Sequence, residues 1–132
     1  MSIQHFDGRP LHSPSILQFY SRIPFTNSTV YLGTQQDGTE SNEQIHAPRT
    51  GVLQNLYVLR MAACGAGESC ILTVRINGVA TALTVTISGA AETDDSDTAN
   101  KVQVTAGQLI SVEGVASAAA VNSNCIATLE LV

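Results

Sequence analysis

Apolar and polar residues alternate with a period of two along most of the chain after Pro48. This spacing is typical of β-strands that have one buried and one wet face. The alternation in residues 70–76 stops at Asn77 and Gly78, a pair that favours the two positive-φ positions of a type I′ hairpin turn, and it resumes in residues 80–88. The pattern therefore predicts antiparallel strands joined by tight turns.

The same alternation, interrupted by Gly, Asn and Asp, predicts strands at residues 28–33, 52–62, 70–76, 80–88, 100–105, 108–114 and 122–132. The short Ala106-Gly107 link favours a second hairpin, and the acidic stretch before residue 100 is predicted as a loop. No segment has a helical period with capping signals. We therefore predict an all-β protein, an antiparallel β-sandwich over residues 28–132, with jelly-roll as the leading topology.

The first 27 residues differ from the rest because Pro10, Pro14 and Pro24 disfavour a helix there and favour extended chain. Between the prolines lies an apolar cluster that consists of Ile16, Leu17, Phe19, Tyr20, Ile23 and Phe25. We predict that residues 1–27 form an extended N-terminal arm that leaves the sandwich and binds a partner through this cluster. The alternative is a first strand that covers one edge of a sheet.

Charge is scarce in this chain, since only 13% of the residues are charged where about 25% is usual. The formal net charge of -5 and six scattered cations argue against a nucleic-acid partner, which needs a basic patch. No apolar run approaches the roughly 20 residues of a membrane span, and the first ten residues lack the features of a secretory signal. We expect a soluble protein that folds where it is made, with neither nucleic acid nor membrane as a partner.

The C-terminal part is almost free of charge, because from residue 98 onward only Lys101, Glu113 and Glu130 are charged. So weakly charged a surface suggests that another chain covers part of it. The small-residue stretch between residues 115 and 121 is either a contact between copies or a simple strand crossing. Its candidate interface residues are Val115, Ala118, Ala120 and Val121.

Candidate catalytic residues are few. The histidines are His5, His12 and His46, and Asp7 is the carboxylate nearest to His5 and His12 in sequence. A serine nucleophile would need a base, a buried acid and a strained turn such as Gly-x-Ser-x-Gly, and the chain has no such set. The sequence therefore predicts a protein that is not an enzyme and that uses no cofactor.

The acidic residues of one predicted loop are Glu92, Asp94, Asp95 and Asp97. Clustered carboxylates suit Ca²⁺ or Mg²⁺, but this spacing does not match an EF-hand loop. We favour a solvated loop that binds no metal. The cysteines Cys64, Cys70 and Cys125 are odd in number and lack a Cys-x-x-Cys pair, so free thiols are expected, with a Cys64–Cys70 disulfide as the alternative.

Residues 47–132 resemble a family of small jelly-roll proteins of tailed-phage virions. The resemblance lies in the run APRTGVLQNLYVLRMAACGAGESCILTVRINGVATALTVTISG, an acidic loop, and then NKVQVTAGQLISV. It consists of a Pro-x-x-Gly strand entry, a small-residue loop, an Asn-Gly hairpin and an Ala-Gly-x-Leu strand start, and it leaves the first 46 residues unmatched.

The resemblance implies a structural protein of the virion, a trimeric cement or decoration protein on the capsid surface. It would be made in the host bacterial cytoplasm, form a homotrimer and bind the major capsid protein. The alternative is the receptor-binding head of a tail fibre, or another cell-surface or carbohydrate-binding β-sandwich. A sugar platform is disfavoured by the absence of Trp, with Tyr57 as the only aromatic residue after position 46.

Overall fold

The computed structural model describes residues 14–132, which are almost entirely β-structure. Within this range the chain forms eleven strands and one 3-10 turn at Glu40–Asn42. The strands are β1 (Ser15–Phe25), β2 (Ser28–Leu32), β3 (Gln36–Asp37), β4 (Ile45–His46), β5 (Gly51–Arg60), β6 (Gly65–Ile76), β7 (Val79–Gly89), β8 (Asp94–Asp97), β9 (Val102–Val104), β10 (Leu109–Ala116) and β11 (Ser123–Leu131). No helix in this part of the chain is long and apolar enough to cross a membrane.

The strands form two antiparallel sheets. Sheet 1 has the order β1-β11-β5-β8, and β9 also pairs with β5. Sheet 2 has the order β3-β2-β10-β6-β7, and β4 also pairs with β10. The chain passes repeatedly from one sheet to the other, and β6 and β7 are consecutive strands that pair within one sheet. The predicted all-β antiparallel sandwich is confirmed.

The core lies between the sheets and follows the alternation in the sequence. In β11, the inward residues Cys125, Ala127 and Leu129 are buried, and the residues between them are partly exposed. The predicted turn between β6 and β7 is also present, since Asn77 has φ 50° and Gly78 has φ 78°. Only residues that tolerate a positive φ fit there, so the turn fixes the register of the hairpin.

The predicted arm is wrong for residues 15–25, because these residues form β1 and pair with β11 from Ser15↔Leu131 to Phe25↔Ser123. Phe19 and Phe25 are 1% and 4% exposed, so both rings belong to the core. The boundary at residue 27 is therefore not a domain boundary. The alternative of a first strand is correct, and residues 1–13 lie outside the described residues.

Space for β1 is provided by a glycine in the opposite sheet. A Cβ added to Gly114 would lie 3.1 Å from Cζ of Phe25 and 3.2 Å from a methyl carbon of Leu32. The phenyl ring therefore occupies the volume that the missing side chain leaves. The apolar cluster alternates along β1 between inward and outward side chains. Burial of the inward side chains stabilises the sandwich itself, so these side chains do not form a contact with a partner.

Two further expectations from the sequence are wrong. The acidic segment is not a loop over its whole length, because Asp94–Asp97 forms β8 and pairs with β5. The Ala106-Gly107 link does not close a hairpin either. It connects β9, which pairs with β5 in sheet 1, to β10, which lies in sheet 2.

Candidate functional site

The structure divides the predicted arm residues into an inner and an outer set. Phe19 and Phe25 are core residues, and Leu17 is partly buried against the core. On the outer side, Ile16 and Ile23 are 55% and 51% exposed. Only the outward-facing members of the six predicted contact residues are therefore available to a partner. They are Ile16, Tyr20 and Ile23.

The candidate interface residues between 115 and 121 do not form one group. Val115 lies on the outer face of sheet 2, where it pairs with Ile71. Ala118 and Val121 are exposed in the connection between β10 and β11. Ala120 is only 5% exposed, because its backbone amide donates to Ser117 and the connection folds its side chain inward. Ala120 is therefore a core residue, and its prediction as an interface residue is wrong.

The outer face of sheet 1 carries a groove around an exposed tyrosine. Tyr57, on the central strand β5, is 54% exposed, and it lies in register between Ser96 of β8 and Thr128 of β11. Leu59, two residues further along β5, is 48% exposed. The groove, called here the Tyr57 groove, has a volume of about 460 Å³ and is lined by Tyr57, Val58, Leu59, Asp94, Asp95, Ser96, Ile126 and Thr128.

The chemistry of the Tyr57 groove is divided between its floor and its rim. The floor is apolar, and Leu59 lies in register between Ile126 on one side and Asp94 on the other. On the rim, Asp94 lies in register with the exposed Leu59, whereas Asp95 lies in register with the buried Val58, and its Oδ1 accepts a hydrogen bond from the backbone amide of Ser96 at 2.8 Å. Such a groove suits a ligand with an apolar body and a polar or charged end.

Sequence reasoning missed this groove, because it treated the acidic residues as a loop tip. The sequence of β5 carries no clear signal, because its alternation is interrupted at Asn55, which has φ 53°, and Leu53 and Leu56 on either side of it are both buried. What the sequence alone does not supply is the pairing of β5 with β8, which brings Ser96 beside the tyrosine ring.

The outer face of sheet 2 holds a compensated charge cluster. Nε of Arg75 lies 2.7 Å from Oε2 of Glu40, and its NH1 nitrogen lies 3.6 Å from Glu113. Ser111 donates a hydrogen bond of 2.6 Å to the same Glu40 oxygen. Burial opposes ionisation of Glu40, but Ser111 and Arg75 outweigh it and lower the pKa of that carboxyl group. These contacts hold the 3-10 turn on the sheet.

A second, smaller cavity of about 280 Å³ lies where β1 meets the end of β2. The guanidinium of Arg22 stacks 4.7 Å from the centroid of the Tyr20 ring, and its Nε donates to the carbonyl of Thr34. Glu43 fills the space beside Gly33, since an added Cβ there would meet the Glu43 carboxylate. The charged groups of this cavity are thus used to join β1 to the loop after β2.

The three cysteines are free, as expected, and all three are buried. Burial raises the pKa of Cys70 to about 12 and that of Cys125 to about 11, so both are neutral thiols at neutral pH. The buried Arg60 guanidinium donates to the carbonyls of Ala62 and Val121 and ties β5 to the connection before β11. Neutral, buried thiols are poor nucleophiles, so this cluster supports the core.

The remaining predicted chemistry is dispersed. His46 is exposed, with Nδ1 at 2.9 Å from the carbonyl oxygen of Gly107, and His5 and His12 lie outside the described residues. Residues 14–132 contain no group of three His, Cys, Asp or Glu side chains that could hold a metal ion. Asp97, one of the four acids, is buried and accepts hydrogen bonds from Thr84, Ala99 and Asn100, which fixes the turn after β8.

Comparison with protein-family models and with curated protein sequences finds no match. The resemblance to phage virion proteins therefore rests on the sequence pattern of residues 47–132 alone.

Proposed function

We propose that this protein is a non-enzymatic structural protein of a tailed-phage virion. In this proposal it is a capsid cement or decoration protein that binds the major capsid protein as a homotrimer on the virion surface, after synthesis in the host cytoplasm. Besides the sequence resemblance, the strand order supports a jelly-roll. Its eight main strands form two four-stranded layers, β1-β11-β5-β8 and β2-β10-β6-β7, and the chain changes layer after every one of these strands except between β6 and β7.

The observation that carries the proposal is a weakly charged surface with large apolar side chains exposed on sheet 1. Those on β1 and at or directly after β5 are Ile16, Ile23, Tyr57, Leu59 and Met61. Each such side chain contributes roughly 1.5 to 3 kcal/mol when it moves fully from water into an interface, before the costs of ordering. A few of them, repeated over three subunits, are enough to hold a small protein on a lattice.

Co-sedimentation with phage heads that lack the protein tests this function. We expect saturable binding in multiples of three copies, and light scattering of the isolated protein should give about three times 13.9 kDa. The variant Leu59→Ser should weaken binding while Thr73→Ser, on the outer face of sheet 2, should not. A monomer that does not sediment with heads contradicts the proposal.

The second candidate function is that of a receptor-binding head of a tail fibre or another carbohydrate-binding sandwich. The observation in its favour is the exposed ring of Tyr57 with hydroxyl groups of Ser96 and Thr128 on either side. A flat ring beside hydrogen-bonding groups suits the apolar face and hydroxyls of a sugar. Fractionation with tails instead of heads, or retention on a glycan column, would favour this function over the first.

A further inference from the structure

Strand β7 forms an edge of sheet 2 and has no charged residue of its own. Among the strands of residues 14–132, its only partner in the sheet is β6, and this pairing is regular between Thr84 and Ser88. The sequence VATALTVTISG contains no charge and no proline, whereas exposed edge strands of natural proteins commonly carry lysine or proline against pairing with another chain. Protection of the segment from Thr84 to Ser88, called here the β7 edge, must therefore come from elsewhere.

Alternate backbone amides of the β7 edge point away from β6. The amide of Thr84 donates to Oδ2 of Asp97 at 3.3 Å, and the amide of Ser88 donates to Oε1 of Glu92 at 3.1 Å. In an antiparallel ladder, residues that exchange hydrogen bonds with a given neighbour alternate with residues that do not. The amide of Thr86, which lies between these two, therefore faces the free edge as well.

Two carboxylates thus cap this edge. Both belong to the segment that carries the chain from β7 in sheet 2 to β8 in sheet 1. Asp97 is 8% exposed and also accepts a hydrogen bond from Nδ2 of Asn100 at 2.9 Å, so its position is fixed. An added strand would have to displace these carboxylates, and hydrogen bonds to a charged acceptor are the stronger ones.

The β7 edge is complementary to a second copy of itself. When two copies pair antiparallel about a twofold axis at Thr86, Thr86 faces Thr86 of the second copy and Thr84 faces Ser88. Each facing pair exchanges two backbone hydrogen bonds, and hydroxyl side chains that face each other across strands interact favourably. The amides of Thr84 and Ser88 are needed for all of these backbone bonds except the two at the centre.

We propose that the β7 edge is a latent interface for a second copy of this chain, and that Asp97 and Glu92 keep it closed. The carboxylates act in two ways. They occupy the amides on both sides of Thr86, and they repel a second copy, because the pairing would bring Asp97 of one copy beside Glu92 of the other. The proposal does not depend on the proposed function, since it concerns any assembly that exposes β7.

The test compares the full chain with the double variant Glu92→Ala/Asp97→Ala by analytical ultracentrifugation over a range of concentrations. We expect the wild-type protein to keep one molar mass, and the association constant of the double variant to be at least about tenfold higher, because the freed amides add backbone bonds to the pairing. Hydrogen exchange supplies a local readout. The amide of Thr86 should exchange fast in the wild-type protein and severalfold more slowly in the associated variant.

Matched controls keep the test specific. Asp94→Ala/Asp95→Ala makes the same change of net charge in β8 but leaves both caps in place, so it should not associate. Thr86→Pro, added to the first double variant, removes the central amide without affecting the pairing with β6, and it should restore the wild-type mass. Circular dichroism shows which variants are folded. If the loss of Asp97 unfolds the protein, Glu92→Ala alone frees the Ser88 amides and should associate at higher concentration.

Several results would overturn the proposal: folded cap variants that keep the wild-type mass, equal association of Asp94→Ala/Asp95→Ala, or association that survives Thr86→Pro. Slow exchange of the Thr86 amide in the wild-type protein would also overturn it, because another segment would then already occupy the edge. The two proposals fail separately. The mass of the wild-type protein tests the trimer, whereas the change in mass between wild type and variants tests the β7 edge.

Discussion

Replacing Phe19 by alanine removes a ring that joins β1 to the core. Phe19 is 1% exposed and lies opposite Ala127 of β11. Its neighbour Ile16 is on the same strand but points outward and is 55% exposed. Comparing Phe19→Ala with Ile16→Ala therefore distinguishes two roles for β1, because a core strand needs the Phe19 ring for stability and an external arm would not.

The expected magnitude follows from the burial. Substituting alanine for a buried phenylalanine costs about 3 to 5 kcal/mol, because the lost transfer free energy is increased by the cavity left behind. The entropy of unfolding of a chain of 132 residues is about 0.28 kcal/mol/K. Phe19→Ala should therefore lower the Tm by about 11 to 18 °C, whereas Ile16→Ala should lower it by less than about 4 °C.

Thermal unfolding followed by circular dichroism measures both shifts, and denaturant unfolding gives the free energy independently. The matched variant Ile23→Ala, also on the outside of β1, should behave like Ile16→Ala. If Phe19→Ala and Ile16→Ala have the same small effect, then β1 does not belong to the cooperative core.

Three other predictions concern the interior. The cysteines of the native protein should react slowly with a thiol reagent at pH 8, because they are buried and their pKa values are raised, and three thiols should react once the protein is unfolded. A rapidly reacting thiol in the native state would contradict the burial. Burial opposes ionisation of Asp97, but hydrogen bonds from Asn100 and its neighbours outweigh burial and lower the pKa of this carboxyl group below the usual 3.8. The contribution of Asp97 to the free energy of unfolding should therefore be constant above about pH 5 and fall as the pH drops below 3.8. Asp97→Asn should lower the free energy of unfolding by about 1 to 3 kcal/mol at pH 7 and flatten its dependence on acid pH, which urea titrations at several pH values would measure. If the variant keeps the same slope of unfolding free energy against pH, Asp97 is not the group responsible for the acid dependence. Gly114→Val should destabilise by about 1 to 3 kcal/mol in thermal unfolding because Phe25 fills the space beside the glycine, while Gly38→Ala, with open space around it, should be neutral; equal effects would exclude that packing.

The parts of the fold that sequence reasoning predicts are those determined by local pattern. The turn at Asn77 and Gly78 depends on four consecutive residues, and the faces of β6, β7 and β11 depend on simple alternation. Both were predicted correctly, since each buried face is specified within its own strand.

The parts that were not predicted depend on partners far away in sequence. The place of β1 depends on its pairing with β11, where Ser21 meets Cys125 across more than 100 residues. Its prolines and aromatic residues are equally compatible with an arm until that partner is known. The Ala106-Gly107 link is short enough for a hairpin, but the strands on its two sides pair in different sheets.

The candidate site was missed for the same reason. The Tyr57 groove combines side chains from β5, β8 and β11, and only the sheet order brings these strands together. Four acidic residues within six positions indicate a solvated loop on composition alone. Pairing with β5 makes a strand of Asp94–Asp97, which places Asp94 beside Leu59 and buries Asp97.

A cryo-electron microscopy reconstruction of the virion that contains this protein would show whether the sandwich is attached to a phage capsid, as we propose. We expect trimeric density on the outside of the head, into which three copies of residues 14–132 fit with the outer face of sheet 1 toward the lattice. Density for the sandwich at the end of a tail fibre, or a head surface that carries no copies of it, would overturn the proposed function.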